Sequence, residues 1–247
     1  MNSEVEKIKP YSPEGESKTE QVRQMFDNIA PAYDFMNRAM TLGIDRRWRR
    51  AAVKTVAAAA PRDVLDVATG TGDFALQIAR SLPSATVTGI DLSDGMLEVA
   101  RHKAREAGLD ERISFTQGDC LALPYPEGSF DAVTVAFGVR NFESLERGYA
   151  EMARVLRPGG TLAVLELSTP GNRLIRWFYD LYTLHIIPWA GSLKSGDSEA
   201  YRYLPRSIAA VPQGDDMLAL MRAAGFSDTS ARRFTLGTCT LYLAHRL

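Results

Sequence analysis

The stretch Val64-Leu-Asp-Val-Ala-Thr-Gly-Thr-Gly-Asp73 decides the fold of this 247-residue chain. Val64-Leu-Asp-Val-Ala68 reads as a short apolar strand and Asp73 to Ser81 as a helix, so Gly70 and Gly72 fall in the turn between them. Glycine at such a turn lets the backbone fold tightly and approach a ligand without a Cβ clash. Gly70-x-Gly72-x-x-Ala75 satisfies the dinucleotide fingerprint, and Asp91 follows about twenty residues on, as that fingerprint asks. The pattern predicts a nucleoside cofactor and leaves NAD and S-adenosylmethionine both open. Charge separates them. A dinucleotide site keeps its helix N-terminus for pyrophosphate, which Asp73 would crowd, and Asp66 ends the preceding strand close by. Negative charge suits the ammonium and sulfonium of S-adenosylmethionine; the alternative is that Asp73 only complements the helix dipole. Asp91 is expected to accept the ribose hydroxyls, and Gln117-Gly-Asp119-Cys120 to place an acceptor for the adenine amino group. No Tyr-x-x-x-Lys pair of the dehydrogenase kind is evident. The reading is S-adenosylmethionine.

Outward from the loop, strands and helices alternate. Thr86–Ile90, Ile113–Thr116, Phe130–Ala136 and Thr161–Leu167 read as strands, with helices at Ser93–Ala107 and Leu145–Leu156. The strands are nearly all apolar, as expected of a parallel sheet covered on both faces. Two last strands, around Thr229–Phe234 and Thr240–Ala244, follow a helix at Asp215–Ala224. Only Leu236–Thr238 join them, too short a link for a parallel crossover, so they are expected to form an antiparallel hairpin. The fold class is a doubly wound, mostly parallel seven-stranded α/β sheet of Rossmann-like type. Residues 19–247 are expected to form a single domain, with a helical lid over 19–60 that Pro31 interrupts and an aromatic-rich helical insertion over 170–208. Residues 1–18, polar and proline-containing, read as a disordered lead-in without a secretory or mitochondrial signal.

Composition narrows the function. Hydrophobic residues make up 45% and charged ones 24%, enough to build a real core. Lys and Arg number 29 against 30 Asp and Glu, so no global basic field is available for nucleic acid. Cys120 and Cys239 are far apart and the three histidines are scattered, which supports neither a disulfide framework nor a metal site and fits a cytoplasmic protein. No apolar run is long enough to span a bilayer, so contact with the inner face of a membrane would be peripheral. Arg46, Arg47, Arg49 and Arg50 around Trp48 form a local basic cluster, either a solvated helix face or a surface for an anionic membrane or substrate.

Four stretches carry a family resemblance. They are Met25-Phe-Asp-Asn-Ile-Ala-Pro-Ala-Tyr-Asp-Phe-Met-Asn37 continuing to Gly43-Ile-Asp-Arg-Arg-Trp48; the loop Gly70-Thr-Gly72-Asp73; Phe137-Gly-Val-Arg140-Asn141 with Arg154-Val-Leu-Arg-Pro-Gly-Gly160 and Leu165-Glu-Leu-Ser168; and Tyr201-Arg-Tyr-Leu-Pro-Arg-Ser-Ile208. The chain resembles the class I methyltransferases, and within them the menaquinone/ubiquinone biosynthesis C-methyltransferases of UbiE/MenG type. The resemblance implies Thr71 as a cofactor contact, Asp91 as the ribose-binding acid, and Asp119 with Cys120 on the adenine side. Many relatives have serine where this chain has Ala136, and histidine where Asp45 stands.

The resemblance also implies a polyprenylated quinol substrate methylated on ring carbon, demethylmenaquinol first, with the methoxy-benzoquinol of ubiquinone biosynthesis as the alternative. A small soluble phenol or amine and a nicotinamide oxidoreductase are the remoter readings. An adjacent phenolate makes the ring carbon nucleophilic, and Arg140, just beyond the fourth strand, is the candidate cation to favour that phenolate. The alternative for Arg140 is a salt bridge to a neighbouring helix. Asn141 either orients the substrate or caps the next helix. Tyr33, Asp34 and His185 are lesser candidates. The apolar residues Leu174, Ile175, Trp177, Phe178, Leu181, Tyr182 and Leu184–Ile187 are expected to receive the prenyl tail, or to pack as core against the lid.

Overall fold

The computed structural model describes residues 3–182 and 198–247. Seven strands form one sheet: β1 (Asp63–Val67), β2 (Thr86–Asp91), β3 (Ile113–Gln117), β4 (Phe130–Ala136), β5 (Leu156–Leu167), β6 (Phe226–Phe234) and β7 (Cys239–Arg246). Their order is β3-β2-β1-β4-β5-β7-β6. β1 to β5 pair in parallel, whereas β7 runs antiparallel to both of its neighbours. The expected hairpin is therefore present, with β7 wedged between β5 and β6. Chain direction across the sheet reverses at β1, which lies between β2 and β4, and such a reversal opens a ligand crevice at the carboxyl ends of the strands.

Helices cover both faces. On one side α3 (Asp45–Ala57) and α4 (Asp73–Ser81) bury Trp48, Val53, Val56, Phe74 and Ile78, joined by Ala104 of α5 (Asp94–Glu106). On the other, α6 (Leu145–Val155) and a helix at Asp215–Ala223 bury Tyr149, Met152, Met217 and Met221. Ser93 caps α5 by accepting from the Met96 N–H at 3.1 Å. Gly72, at φ 78°, starts α4 in a left-handed conformation that a side chain would resist, and a Cβ there would meet Ala100 at 2.9 Å.

Three sequence expectations are corrected. The lead-in is ordered from residue 3: α1 (Glu4–Lys7) buries Val5 completely, and the Glu6 carboxylate accepts from the Leu145 N–H at the start of α6, 2.7 Å away. Gln21 accepts from the N–H groups of Tyr11 and Ser12 and donates to two carbonyls of the same segment. The polar residues that make the segment read as disordered are the ones that satisfy its backbone. Second, Pro31 does not interrupt the lid: α2 (Lys18–Thr41) passes through it. A helix-interior proline costs about 3 kcal/mol, and the buried face on both sides of it (Met25, Ile29, Met36) outweighs that cost. Third, β5 starts at Leu156 and carries Pro158-Gly-Gly160 as an irregularity opposite β4, not ahead of the strand.

In the insertion, α7 (Arg173–Leu181) is followed by α8 (Ser198–Ala210), so the Asp215–Ala223 helix is α9. His185, Trp189 and Leu184–Ile187 lie outside the described residues. No described helix is long and apolar enough to cross a membrane.

Candidate active site

Two adjoining cavities lie over the carboxyl ends of the strands. The smaller, of about 680 Å³, is lined by Ala68 and Gly70 after β1, Ile90, Asp91 and Leu92 at β2, Gly118 to Leu121 after β3, and Ala136 to Gly138 with Asn141 at β4. Helix α2 roofs it with Thr19, Val22, Phe26 and Tyr33. Backbone strain is concentrated on its wall: Ala68 and Phe137 hold φ of 51° and 61°, values rarely adopted by residues with a side chain. Gly138 makes this possible, since a Cβ there would stand 2.7 Å from that of Ala68.

Asp91 sits at the centre. One carboxylate oxygen accepts from the Gly70 N–H at 2.8 Å and the other from the Ser93 N–H at 3.0 Å, leaving each a second lone pair toward the cavity. Burial raises its pKa, and those two N–H groups oppose the rise. Asp119 uses one oxygen to accept from the Leu121 N–H, while Cys120 and Leu121 supply apolar wall. These features fit a nucleoside: two paired acceptors for a ribose, a second carboxylate one strand over, and a glycine-lined approach.

The structure does not bring every predicted contact to this cavity. Asp66 is 1% exposed beneath it and accepts from the hydroxyls of Thr69 and Thr134, each at 2.6 Å. Burial pushes its carboxyl up to about 6. Thr71 is buried and donates to Asp34 of α2 at 2.6 Å, and Gly72 faces Phe115 and Ala100. Asp73 corrects the charge argument: it pairs with Lys103 of α5 and lines a separate cleft. Burial works against its ionisation, but the Lys103 ammonium more than offsets that and holds the carboxyl low. Asp34 also takes Lys103, at 2.8 Å, so Thr71, Asp34, Lys103 and Asp73 form a latch between lid and core. Asp45 is buried at the start of α3, accepting from Thr41 Oγ1 at 3.0 Å and facing the same cleft as Asp73.

The larger cavity, of about 1370 Å³, shares Phe26, Tyr33, Phe137 and Asn141 with the smaller one. It is mostly apolar, walled by Met25, Ile29, Met36, Met40, Ile44 and Trp48, and closed on the insertion side by Tyr179, Tyr182, Tyr203 and Leu204. Arg140 enters it from the short 3₁₀ turn Val139–Asn141. Its Nη1 donates to Glu166 Oε1 at 2.9 Å and to the Phe137 carbonyl, and its main-chain N–H donates to Glu166 Oε2 at 3.2 Å. Burial favours the neutral form, yet the Glu166 carboxylate outweighs it and keeps the guanidinium charged. The anticipated salt bridge is real, but its partner is a strand residue and it leaves a donor over. Arg140 Nε, Asn141 Oδ1 and Tyr203 Oη are all buried without a hydrogen-bond partner among the described residues. Ser144, not Asn141, caps α6, accepting from the Arg147 N–H. Tyr203 is 2% exposed and was not singled out as a site residue by the sequence, where only its place in Tyr-Arg-Tyr-Leu-Pro pointed to it.

Residues 14–246 match the model of the ubiE/COQ5 methyltransferase family. The chain belongs to that family. This methyltransferase is 50% identical over 244 residues to the demethylmenaquinone methyltransferase of Bacteroides fragilis, covering 99% of each chain. It is 45% identical to the ubiquinone/menaquinone biosynthesis C-methyltransferase UbiE of Geobacter sulfurreducens, covering 93% of this chain and 90% of that one. Among solved structures, the [4+2]-cyclase SpnF superposes with a TM-score of 0.67 at 21% identity, over 92% of this chain and 96% of the other, a likeness of fold. The methyltransferase uses S-adenosylmethionine, as the sequence reading holds, although Asp73 is not the residue that selects it.

Proposed function

We propose that the methyltransferase moves a methyl group from S-adenosylmethionine to a ring carbon of a polyprenylated quinol, demethylmenaquinol in the first place and the methoxy-benzoquinol of ubiquinone biosynthesis as the alternative. The observation that carries the reading is the trio of unpartnered buried polar atoms, Arg140 Nε, Asn141 Oδ1 and Tyr203 Oη, in an otherwise apolar cavity beside the cofactor cavity. A hydroquinone ring is apolar on its faces and carries oxygens that both donate and accept. Unpaired buried groups of this kind cost about 1–3 kcal/mol each until such a partner arrives.

Asp91 would hold the ribose and Asp119 the adenine side, with Gly70 allowing close backbone approach. Asp66, Thr71 and Gly72 would act behind that surface, shaping the loop. Bound there, S-adenosylmethionine supplies an electrophilic methyl group on a sulfonium. Arg140 favours the phenolate form of the ring and so raises electron density on the adjacent carbon. It serves as a charge and not as a base, because Glu166 keeps it protonated. Asn141 and Tyr203 orient the ring, and Tyr203 stays protonated because burial raises its pKa. Phe26, Tyr33 and Phe137, common to both cavities, hold the reacting partners together and keep bulk water from between them.

The tail is proposed to leave the cavity along α7. Leu174, Trp177, Phe178 and Leu181 recur on one face of that helix and are 44–67% exposed, a surface suited to a prenyl chain and to peripheral contact with lipid. Methyl transfer from labelled S-adenosylmethionine to the two quinols, assayed side by side under reducing conditions, tests the reading. Turnover of the naphthoquinol is expected. Methylation of neither quinol, with a soluble phenol accepted instead, overturns it.

A further inference from the structure

We infer that the protein carries a second ligand site, a cleft for a phosphate-bearing anion on the side of α3 away from the quinol cavity. Arg38 near the end of α2, Arg46, Arg49 and Arg50 of α3, and Arg80 of α4 line one concave space of about 1210 Å³. Two of the three acids that share it are engaged, Asp45 with Thr41 and Arg49 and Asp73 with Lys103, while Glu106 stands exposed at the rim beside His102. The side chains of Arg38, Arg46, Arg50 and Arg80 make no hydrogen bond or ion pair among the described residues. Four like charges brought from three helices to one hollow repel one another until an anion sits among them.

Arg49 supplies a second, independent observation. It is 6% exposed, its guanidinium lies 5.0 Å over the Phe137 ring, and its Nε is buried without a hydrogen-bond partner. The nearest carboxylate oxygen, from Asp45, stands at 3.6 Å, beyond hydrogen-bond range. The helix that offers its exposed arginines to the cleft thus also holds a buried donor in want of an acceptor. Guanidinium groups present paired N–H donors that match phosphate or carboxylate oxygens two at a time, and several unpaired guanidiniums around one hollow suit a multiply charged group such as phosphate.

The position gives the site meaning. Asn37 and Met40 of α2 and Ile44 and Trp48 of α3 face the quinol cavity, while Arg38, Arg46 and Arg50 on the same two helices face the cleft. Leu42, 78% exposed at the turn between them, lies on the rim of the quinol cavity. A phosphodiester headgroup in the cleft would stand beside the apolar cavity; a soluble phosphate compound offers the same chemistry.

The test compares the triple variant Arg46→Gln, Arg50→Gln, Arg80→Gln with a control triple that removes the same charge elsewhere, Arg147→Gln, Arg202→Gln, Arg232→Gln. One arm titrates inorganic diphosphate calorimetrically. The other sediments the protein with phosphatidylcholine vesicles with and without phosphatidylglycerol. The cleft triple is expected to bind about tenfold more weakly than the control in at least one arm, with S-adenosylmethionine affinity unchanged. Loss with diphosphate alone identifies a soluble phosphate ligand; loss on phosphatidylglycerol vesicles alone identifies a lipid headgroup. Equal behaviour of the two triples in both arms, or a wild-type protein that binds neither probe, overturns the site. Arg46→Gln and Arg80→Gln singly, each expected to weaken binding about threefold, carry the same decision if the triple fails to fold.

Discussion

The Lys18 ammonium, on the first turn of α2, donates to the main-chain oxygen of Arg140 at 3.1 Å across a sequence separation of 122 residues. The same nitrogen donates to the carbonyls of Val5 at 2.6 Å and Phe142 at 3.0 Å, so one buried charge ties the N-terminal segment and the lid to the turn that carries Arg140 and Asn141.

Burial lowers the Lys18 pKa to about 8, against the opposing pull of Glu6 and Glu143. Between that value and the ordinary 10.5 the unfolded chain holds a proton that the folded chain has released, so this contribution to stability rises with pH by up to about 3 kcal/mol. Lys18→Met leaves three carbonyls without their donor and is expected to destabilise by about 2–3 kcal/mol at pH 7.5. Urea melts at pH 7.5 and 10.5 check this: the gap between wild type and variant should widen at the higher pH.

Asp66 gives the opposite sign. Its folded pKa of about 6 exceeds the ordinary 3.8, so the folded chain holds the extra proton between those values and stability falls as pH rises through them. Asp66→Asn removes that loss and keeps a group able to bond both threonine hydroxyls. The variant is expected to gain up to about 3 kcal/mol on wild type above pH 6 and nothing near pH 4, as read from denaturant midpoints.

Asp91→Ala removes the two carboxylate oxygens proposed to hold the ribose and frees the Gly70 and Ser93 N–H groups. S-adenosylmethionine affinity is expected to fall on the order of 100-fold by calorimetry, against about tenfold for Asp119→Ala, whose second contact is a single turn N–H. Equal affinities in the two variants would remove Asp91 from the centre of the cofactor site.

Tyr203→Phe and Arg140→Lys separate orientation from charge. The first is expected to raise the quinol KM about tenfold with little change in kcat, through loss of one hydrogen bond. The second keeps a cation and the main-chain bond to Glu166 but loses the Nη1 bond to that carboxylate and the free Nε donor, and kcat should drop on the order of 100-fold at unchanged cofactor affinity.

Trp177→Ser with Phe178→Ser tests the exposed face of α7. Burial against a prenyl chain contributes at about 25 cal/mol per Å² of apolar surface, so KM should rise for a long-tailed quinol and hardly move for a short-tailed one. An equal loss on both substrates in the folded variant would make the face structural.

Local periodicity made the sheet and its glycine turn legible: the apolar strands, Gly70, Asp91 and Asp119 all stand where alternation and spacing put them. What escaped sequence reading depends on distant partners. Asp73 looks like a cofactor ligand until Lys103, thirty residues on, takes it. The first eighteen residues look unstructured because they are polar, yet Glu6, Lys18 and, from α2, Gln21 tie them down through hydrogen bonds to backbone groups that no local pattern reveals. Tyr203 reaches the larger cavity only because α8 returns to close the space lined by α2 and α3, a juxtaposition set by tertiary packing. The place of Arg140 beyond β4 was legible, but Glu166 as the carboxylate it pairs with was not.

Helix α2 covers both cavities, Val22 and Phe26 over one and Met25, Ile29, Met36 and Met40 over the other. Because those residues belong to one uninterrupted helix, a movement of α2 uncovers both compartments together. If α2 lifts as one body, the off-rates of the spent donor and of the proposed methylated quinol should respond together to anything that frees Asp34 from Thr71 and Lys103. Release of α2 would then be a step that the enzyme's turnover must include, beside the chemistry beneath it.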